Sequence, residues 1–286
     1  MRNSIIIRSF LMLLLSTVLS LSVILTVNAA DEIDISQIQS VNIKINGLSY
    51  TGEEALLIDG TTYLPFRAFF DYVYDGEVSW DKEAKTAAAA SETLTITAKV
   101  GDNYICANGR YLYNSKPVLL IEGKVYVPAR ALASVFSFDV TWDENDGSVA
   151  LDGSGDALES ADTFYDSVSL YWLSRIISCE SRGEELQGQI AVGNVVLNRM
   201  ASDEYPDTVY GVVFDKKFGV QFTPAYNGRI YKEPADISVI AAKICLEGYS
   251  ISDSIIYFYD PTLSTTSWME KDCDYEFTIG CHRFFS

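Results

Sequence analysis

Cys179-Glu180-Ser181-Arg182-Gly183-Glu184 closes an apolar run near the middle of a 286-residue chain, and its reading decides the fold of the second half. Upstream, Val168, Tyr171, Trp172, Ile176 and Ile177 recur at three- and four-residue spacing, the period of a helix with one apolar face. Gly183 marks its stop. From Glu184 to Met200 a second helix follows, with Ile190, Val192, Val195, Val196 and Leu197 making one side nearly all apolar. Asn194 and Asn198, one turn apart on so apolar a segment, either bond adjacent backbone or line a pocket.

Beyond this pair, Pro206 to Phe214 gives a short third helix and Pro234 to Leu246, stopped by Gly248, a fourth. Ile255-Ile256-Tyr257-Phe258-Tyr259 is strand-like and leads into a polar loop, Asp260 to Trp268. The tail from Phe277 to Phe285 closes the domain. Residues 165–286 are therefore read as a compact, mainly α domain with a small strand component near its C-terminus.

The first half is different, because it repeats itself. Leu56-Leu57-Ile58-Asp59-Gly60, Tyr63-Leu64-Pro65-Phe66-Arg67-Ala68 and Val78-Ser79-Trp80-Asp81 return as Leu119-Leu120-Ile121-Glu122-Gly123, Tyr126-Val127-Pro128-Ala129-Arg130-Ala131 and Val140-Thr141-Trp142-Asp143. Asn46-Gly47 likewise returns as Asn108-Gly109, so the constant offset marks a duplication, copies 41–101 and 102–152. Short alternating runs such as Val41 to Ile45 read as strands, the Asn-Gly, Asp-Gly and Glu-Gly pairs as hairpin turns, and the prolines as starts of short helices. Trp80 and Trp142 are read as core residues in preference to sugar-stacking platforms, and Arg67 and Arg130 as ties from helix to neighbouring turns. Residues 153–164 are small, polar and acidic, which suits a linker. The fold class is thus multidomain α+β.

At the N-terminus, Arg2 and Arg8 precede an apolar run from Phe10 to Val27, and Val27-Asn28-Ala29-Ala30 offers a cleavage site. That order is a secretory signal over residues 1–30, or an uncleaved anchor, with a leader over 31–40. An apolar content of 48% with 13% aromatic residues fills one or two cores, and a formal charge of −18 argues against nucleic acid, whose phosphates need a basic face. Five cysteines are too scattered to build the fold. With one histidine, His282, and no C-x-x-C, neither a metal site nor a cofactor is expected.

The chemistry falls to Glu180. A carboxyl at the end of an apolar helix is partly desolvated, which raises its pKa toward what a general acid needs; the plain alternative is a solvated glutamate at a helix end. Trp172 to Arg199 resembles the bacterial cell wall hydrolase family that includes the spore cortex-lytic enzymes, whose usual core is a-E-A-R-G-E followed by G-Q-x-A-V-x-x-V-x-x-N-R. Here stand Glu180-Ser181-Arg182-Gly183-Glu184, Gly188-Gln189-Ile190-Ala191-Val192 and Asn198-Arg199. Gln221-Phe222, Gly228-Arg229-Ile230, Tyr257-Phe258-Tyr259-Asp260-Pro261 and Ile279-Gly280-Cys281-His282-Arg283-Phe284 follow in the family's order.

The resemblance implies a lysozyme-like domain that cuts the β-1,4 bond between N-acetylmuramic acid and N-acetylglucosamine in peptidoglycan. Glu180 matches the catalytic acid, with Glu184, Gln221, Tyr257, Tyr259 and His282 as cleft residues. Glu184 is preferred as a structural partner of Arg182 or of a helix N-terminus over a second catalytic acid. Cys179 and Cys281 stand where the family has alanine and asparagine, and a disulfide between them is a hypothesis that this departure raises.

The repeats over Val41 to Asp152 resemble the stalk domain at the N-terminus of copper amine oxidases. By that resemblance they are a wall-associated spacer on an exported protein whose partner is the glycan strand. One histidine cannot build a three-histidine copper site. Two rival functions remain: a Cys/His amidase using Cys281 or Cys179 with His282, and a surface protein that binds wall glycan without cutting it.

Overall fold

The computed structural model describes residues 38–217, 219–263 and 268–286. The export segment expected at residues 1–30 and residues 31–37 of the leader lie outside them. The β-rich half runs in the order β1 (Gln39–Ile45), β2 (Leu48–Ser49), β3 (Ala55–Ile58), β4 (Thr61–Pro65), α1 (Phe66–Val73), β5 (Glu77–Asp81), β6 (Thr86–Ala90) and β7 (Thr95–Lys99). It continues with β8 (Tyr104–Ala107), β9 (Arg110–Tyr113), β10 (Leu119–Ile121), β11 (Lys124–Pro128), α2 (Ala129–Ser134), β12 (Phe138–Asp143) and β13 (Ser148–Gly153).

Two sheets form from these strands. One has the order β10-β11-β4-β3-β1-β13-β12 with β2 added on β1, and the other is the meander β5-β6-β7-β8-β9. Asn46, Gly47, Asn108 and Gly109 all have positive φ, which is why Asn-Gly stands at both turns. Strand β11 pairs with β4, Val127 opposite Leu64, and β1 runs parallel to β13, Ile43 opposite Val149. A single core results, in which Phe66, Phe69 and Phe70 of α1 meet Leu132 and Phe136, with Phe69 and Phe136 ring centroids 5.9 Å apart. Each such ring, fully buried, contributes on the order of 2–3 kcal/mol.

Arg67 Nη2 donates to the Val78 carbonyl at 2.9 Å and Arg130 Nη1 to that of Val140 at 3.4 Å, each tying its helix to the strand that carries the tryptophan. The tryptophans themselves are not core: Trp80 is 40% exposed and Trp142 51%. Their strands, β5 and β12, are the edges of the two sheets, so no neighbouring strand covers the indoles from that side.

Residues 154–160 have no regular structure, yet they are strapped to the β-rich half. Leu158 N–H donates to the Val135 carbonyl, and Asn108 Nδ2 to the Leu158 carbonyl, both at 2.8 Å.

The helical half comprises α3 (Ala161–Phe164), α4 (Ser167–Ser181), α5 (Leu186–Ala201), α6 (Val209–Val213), α7 (Asp236–Leu246), β14 (Tyr257–Tyr259), α8 (Met269–Asp272), β15 (Tyr275–Ile279) and β16 (His282–Phe285). Asp166 caps α4 by accepting from the Ser169 N–H at 2.7 Å. Helices α4, α5 and α7 bury Ile176, Ile177, Ile190, Val195, Ala241 and Ile244 together. Gly193 permits their close approach, since a Cβ there would lie 2.6 Å from Cys245 Sγ and 2.9 Å from Ile177 Cδ1. The antiparallel sheet β14-β16-β15 packs on this core through Phe284.

The halves meet where the β8–β9 hairpin reaches the end of α7. Arg110 grips Glu247 with Nε at 3.0 Å and Nη2 at 2.7 Å, both side chains under a tenth exposed. Tyr165 hydroxyl bonds the same carboxylate, Lys243 Nζ donates to the Gly109 carbonyl at 2.9 Å, and the Tyr113 and Tyr249 rings lie 4.2 Å apart.

Candidate active site

Glu180 occupies the last turn of α4, three and four residues after the fully buried Ile177 and Ile176. It therefore lies on the same stripe as the core residues, at the point where that stripe emerges, and it is half-buried. Burial pushes its carboxyl up to about 7, against which the Arg229 guanidinium pulls it down. Next to it, Ser181 is buried and donates to the Ile177 carbonyl at 2.8 Å, so the position takes only a small side chain.

Arg229 escaped the sequence reading as a functional residue. It follows Gly228, whose φ is 82°, and its N–H is held by Asn227 Oδ1 at 3.0 Å. This turn delivers its Nη2 to the Cys179 carbonyl at 3.4 Å, beside Glu180. The Asn-Gly pair before a cation was the available signal.

The break after α4 places Glu184 off the helix. Its Oε2 accepts the Cys281 N–H at 3.2 Å, so its partner is the β15–β16 turn, not Arg182. Its carbonyl accepts from Gln189 Nε2 at 2.9 Å, while Gln189 Oε1 accepts from Ser238 Oγ of α7 at 2.7 Å. Further along α5, Asn194 donates to the Tyr249 carbonyl at 3.1 Å and accepts from Ile251 N–H at 2.9 Å. Asn198 Nδ2 donates to the Ser252 and Ile255 carbonyls at 2.9 Å, and Arg199 Nε to that of Ile256 at 2.7 Å. The polar residues of α5 thus fix the backbone of 249–256 that feeds β14.

His282 is buried beside this turn, edge-on to Phe258 with ring centroids 5.2 Å apart, and its Nδ1 is buried without a partner. Burial lowers its pKa although Glu184 and Asp260 face it, so the ring is neutral at pH 7. Tyr257 and Tyr259 project from the other face of the sheet, because neighbours on a strand alternate and Phe258 shares the His282 side. Tyr257 hydroxyl meets that of Tyr205 at 3.2 Å, with the Arg199 guanidinium 5.5 Å from its ring. Tyr259 stacks on Phe285 and bonds Glu270, which also pairs with Arg283 at 2.9 Å. Gln221 is half-buried, its Nε2 3.4 Å from the Gly219 carbonyl, and precedes Phe222, whose ring lies 5.3 Å from the Arg199 guanidinium. Glu184 and His282 thus meet at the β15–β16 turn, whereas Tyr257 lies against Arg199, as does Phe222, the neighbour of Gln221.

Cys179 and Cys281 are both free thiols, so the disulfide raised by their placement is absent. The negative charge of Glu184 pushes the Cys281 thiol up, which works against a thiolate nucleophile there. Concavities of about 510, 340 and 560 Å³ lie in the β-rich half, at the junction of the halves and beside Tyr74, and none has Glu180 in its wall.

Comparison with known proteins gives two segments. Residues 183–285 match the Cell Wall Hydrolase family, beginning three residues after Glu180, and residues 44–151 match the Copper amine oxidase N-terminal domain. A spore cortex-lytic enzyme of Oceanobacillus iheyensis is 33% identical over 105 residues, 37% of each chain. One of Bacillus subtilis is 32% identical over 97 residues, 34% of this chain and 31% of that one. The chain thus spans about a third of the length of these curated relatives. Among solved structures, the catalytic domain of the germination-specific lytic transglycosylase SleB from Bacillus anthracis is 30% identical, with a TM-score of 0.39, covering 43% of this chain and 98% of that one.

The copper of the second family's name finds no ligands here. Among the described residues no three His, Cys, Asp or Glu side chains come together as a metal site, and the one histidine belongs to the helical half.

Proposed function

We infer the function of a chain that carries a cell wall hydrolase domain over residues 183–285 behind a copper amine oxidase N-terminal domain over residues 44–151: it is an exported peptidoglycan glycosidase working as a lytic transglycosylase. The observation that carries this reading is Glu180, a single half-buried carboxyl at the end of α4, poised near pH 7.

A group with that pKa can serve as acid and then as base at neutral pH. Protonated Glu180 gives its proton to the oxygen of the β-1,4 bond between N-acetylmuramic acid and N-acetylglucosamine as the C1–O bond breaks. The resulting carboxylate, favoured by Arg229, takes the proton of the muramyl C6 hydroxyl as O6 bonds to C1. The product is a 1,6-anhydro end, no water is consumed, and Glu180 is protonated again. An inverting hydrolase would instead place a second carboxylate about 6.5–9.5 Å away to activate water. Glu184 suits that role poorly, because its Oε2 is engaged by the Cys281 N–H.

Glu184 and His282 then shape the wall of the groove, and Gln221, Tyr257 and Tyr259 are the sugar-facing candidates farther from the acid. The β-rich half is a duplicated module that stands on the wall side of the enzyme, and the domain over 165–286 is lysozyme-like. The substrate is vegetative wall or spore cortex.

Purified peptidoglycan digested with the wild type and with Glu180→Gln, followed by mass spectrometry of the muropeptides, tests this. Anhydro ends from the wild type alone support it. Reducing muramyl ends would make the enzyme a hydrolase, and intact glycan in both digests would make the chain a wall-binding protein without lytic activity.

A further inference from the structure

The concavity of about 510 Å³ in the β-rich half is unused by this function, and its wall has an unusual composition. Trp142 stands in it with half of its surface exposed, at the edge strand β12. Around it are Thr61, Thr62, Asn114 and Ser115, neutral side chains that donate and accept hydrogen bonds, and Arg130. The Arg130 guanidinium is steadied by the Val140 carbonyl at 3.4 Å, on the same strand as the indole. Asn114 is 7% exposed, and its Nδ2 is buried without a partner.

The charge of the wall separates it from the rest of the molecule. Acidic residues outnumber basic ones 39 to 21 in the chain, yet none lines this cavity. The other two cavities have Asp102 and Glu185, or Asp75, Glu77 and Glu92, in their walls. An indole face held open to solvent, a ring of neutral hydrogen-bonding groups and one cation match a saccharide. Its C–H face stacks on the aromatic ring, its hydroxyl and acetamido groups meet Thr, Ser and Asn, and a carboxylate substituent meets Arg. The volume lies in the range of small-ligand pockets, about 300–1,000 Å³.

We propose that this cavity is a second glycan site, in which Trp142 and Arg130 hold an amino-sugar segment of the glycan strand apart from the place where it is cut. The site itself stands on its own residues; the choice of an amino sugar over a plain hexose rests on the lytic reading. Trp80, the matching residue of the first copy, is exposed but lines none of the three cavities, and it provides an internal control.

The full-length Glu180→Gln protein labelled with 5-fluorotryptophan has four tryptophans to follow by fluorine NMR. Trp142 is assigned by the signal that Trp142→Phe removes, and Trp80 in the same way. Titration with the tetramer of N-acetylglucosamine should move the Trp142 signal saturably and leave that of Trp80 in place, while cellotetraose moves neither. Arg130→Gln should weaken about tenfold the Trp142 response to the N-acetylglucosamine–N-acetylmuramic acid disaccharide, whose lactyl carboxylate the guanidinium meets. Arg130→Gln also gives up the exposed tie to the Val140 carbonyl, so its melting temperature should fall by no more than a few degrees, which checks that the fold is kept. A Trp142 signal that does not move, a Trp80 signal that moves equally, or an equal response to cellotetraose would overturn the proposal. Cleavage of peptidoglycan by the wild type is scored separately, so failure of the lytic reading is visible on its own.

Discussion

Glu184 Oε2 accepts the N–H of Cys281 at 3.2 Å, and Gly280, with φ at 56°, packs so closely against the same oxygen that a Cβ there would collide with it. An acid at the break after α4 thereby locks the β15–β16 turn. Glu184→Ala should cost about 0.5–1.5 kcal/mol in urea denaturation, because the bond is exposed, and Gly280→Ala about as much, from the positive φ and the displaced Glu184 carboxylate. Glu184→Gln keeps an acceptor oxygen and should recover most of the loss. If all three variants unfold at the wild-type midpoint, the clamp is not a structural element.

Glu180 makes an opposite prediction. Its folded pKa of about 7 lies above its ordinary value of 4.5, so the folded state binds the proton more tightly than the unfolded state does. Stability therefore falls as pH rises from about 4.5 to about 7 and is lower by a constant amount above that. Glu180→Gln should match the wild type near pH 4 and exceed it at pH 8 by on the order of 2–3 kcal/mol, read from denaturation at the two pH values. For activity on peptidoglycan, kcat/KM should fall on the alkaline side with an apparent pKa near 7. Arg229→Gln removes the nearby positive charge and should move that limb upward by roughly one unit or less. A limb that stays in place would separate Arg229 from the acid.

At the junction of the halves, Glu247 stands at the C-terminal end of α7, where a negative charge is unfavourable to the helix dipole unless a cation answers it. Arg110, from the β8–β9 hairpin, is that cation. Glu247→Ala leaves the buried Arg110 guanidinium with only the more exposed Glu159, 3.9 Å away, and should cost up to about 3 kcal/mol and expose residues 154–160 to limited proteolysis. The pair Arg110→Met with Glu247→Leu removes both charges and should regain most of the stability. Equal proteolysis of the wild type and Glu247→Ala would rule out the pair as a latch.

The helices of the second half were legible because their apolar residues keep a strict period, and both Asn-Gly turns were legible because left-handed backbone is costly for other residues. The position of Glu180 at the end of α4 was legible from that period, while its candidacy as an acid came from the motif around it. What escaped depends on distant partners. Arg110 and Glu247 are 137 positions apart, and nothing local announces their meeting. Trp142 reads as core because a tryptophan repeated in strands usually is, but its exposure goes with β12 lying at a sheet edge, a property of the whole topology. Tyr257 and His282 both belonged to plausible cleft motifs, and only the register of β14 on β16 put them on opposite faces.

The parallel pairing of β1 with β13 has a mechanical meaning. A pull applied between the chain ahead of Gln39 and the chain after Gly153 draws these neighbours past each other along their length. Their evenly spaced hydrogen bonds, from Asn42–Ser148 to Ile45–Leu151, are then loaded in shear and must fail together instead of unzipping singly. Under such a pull the β-rich half would hold its length up to one cooperative rupture, without paying out chain.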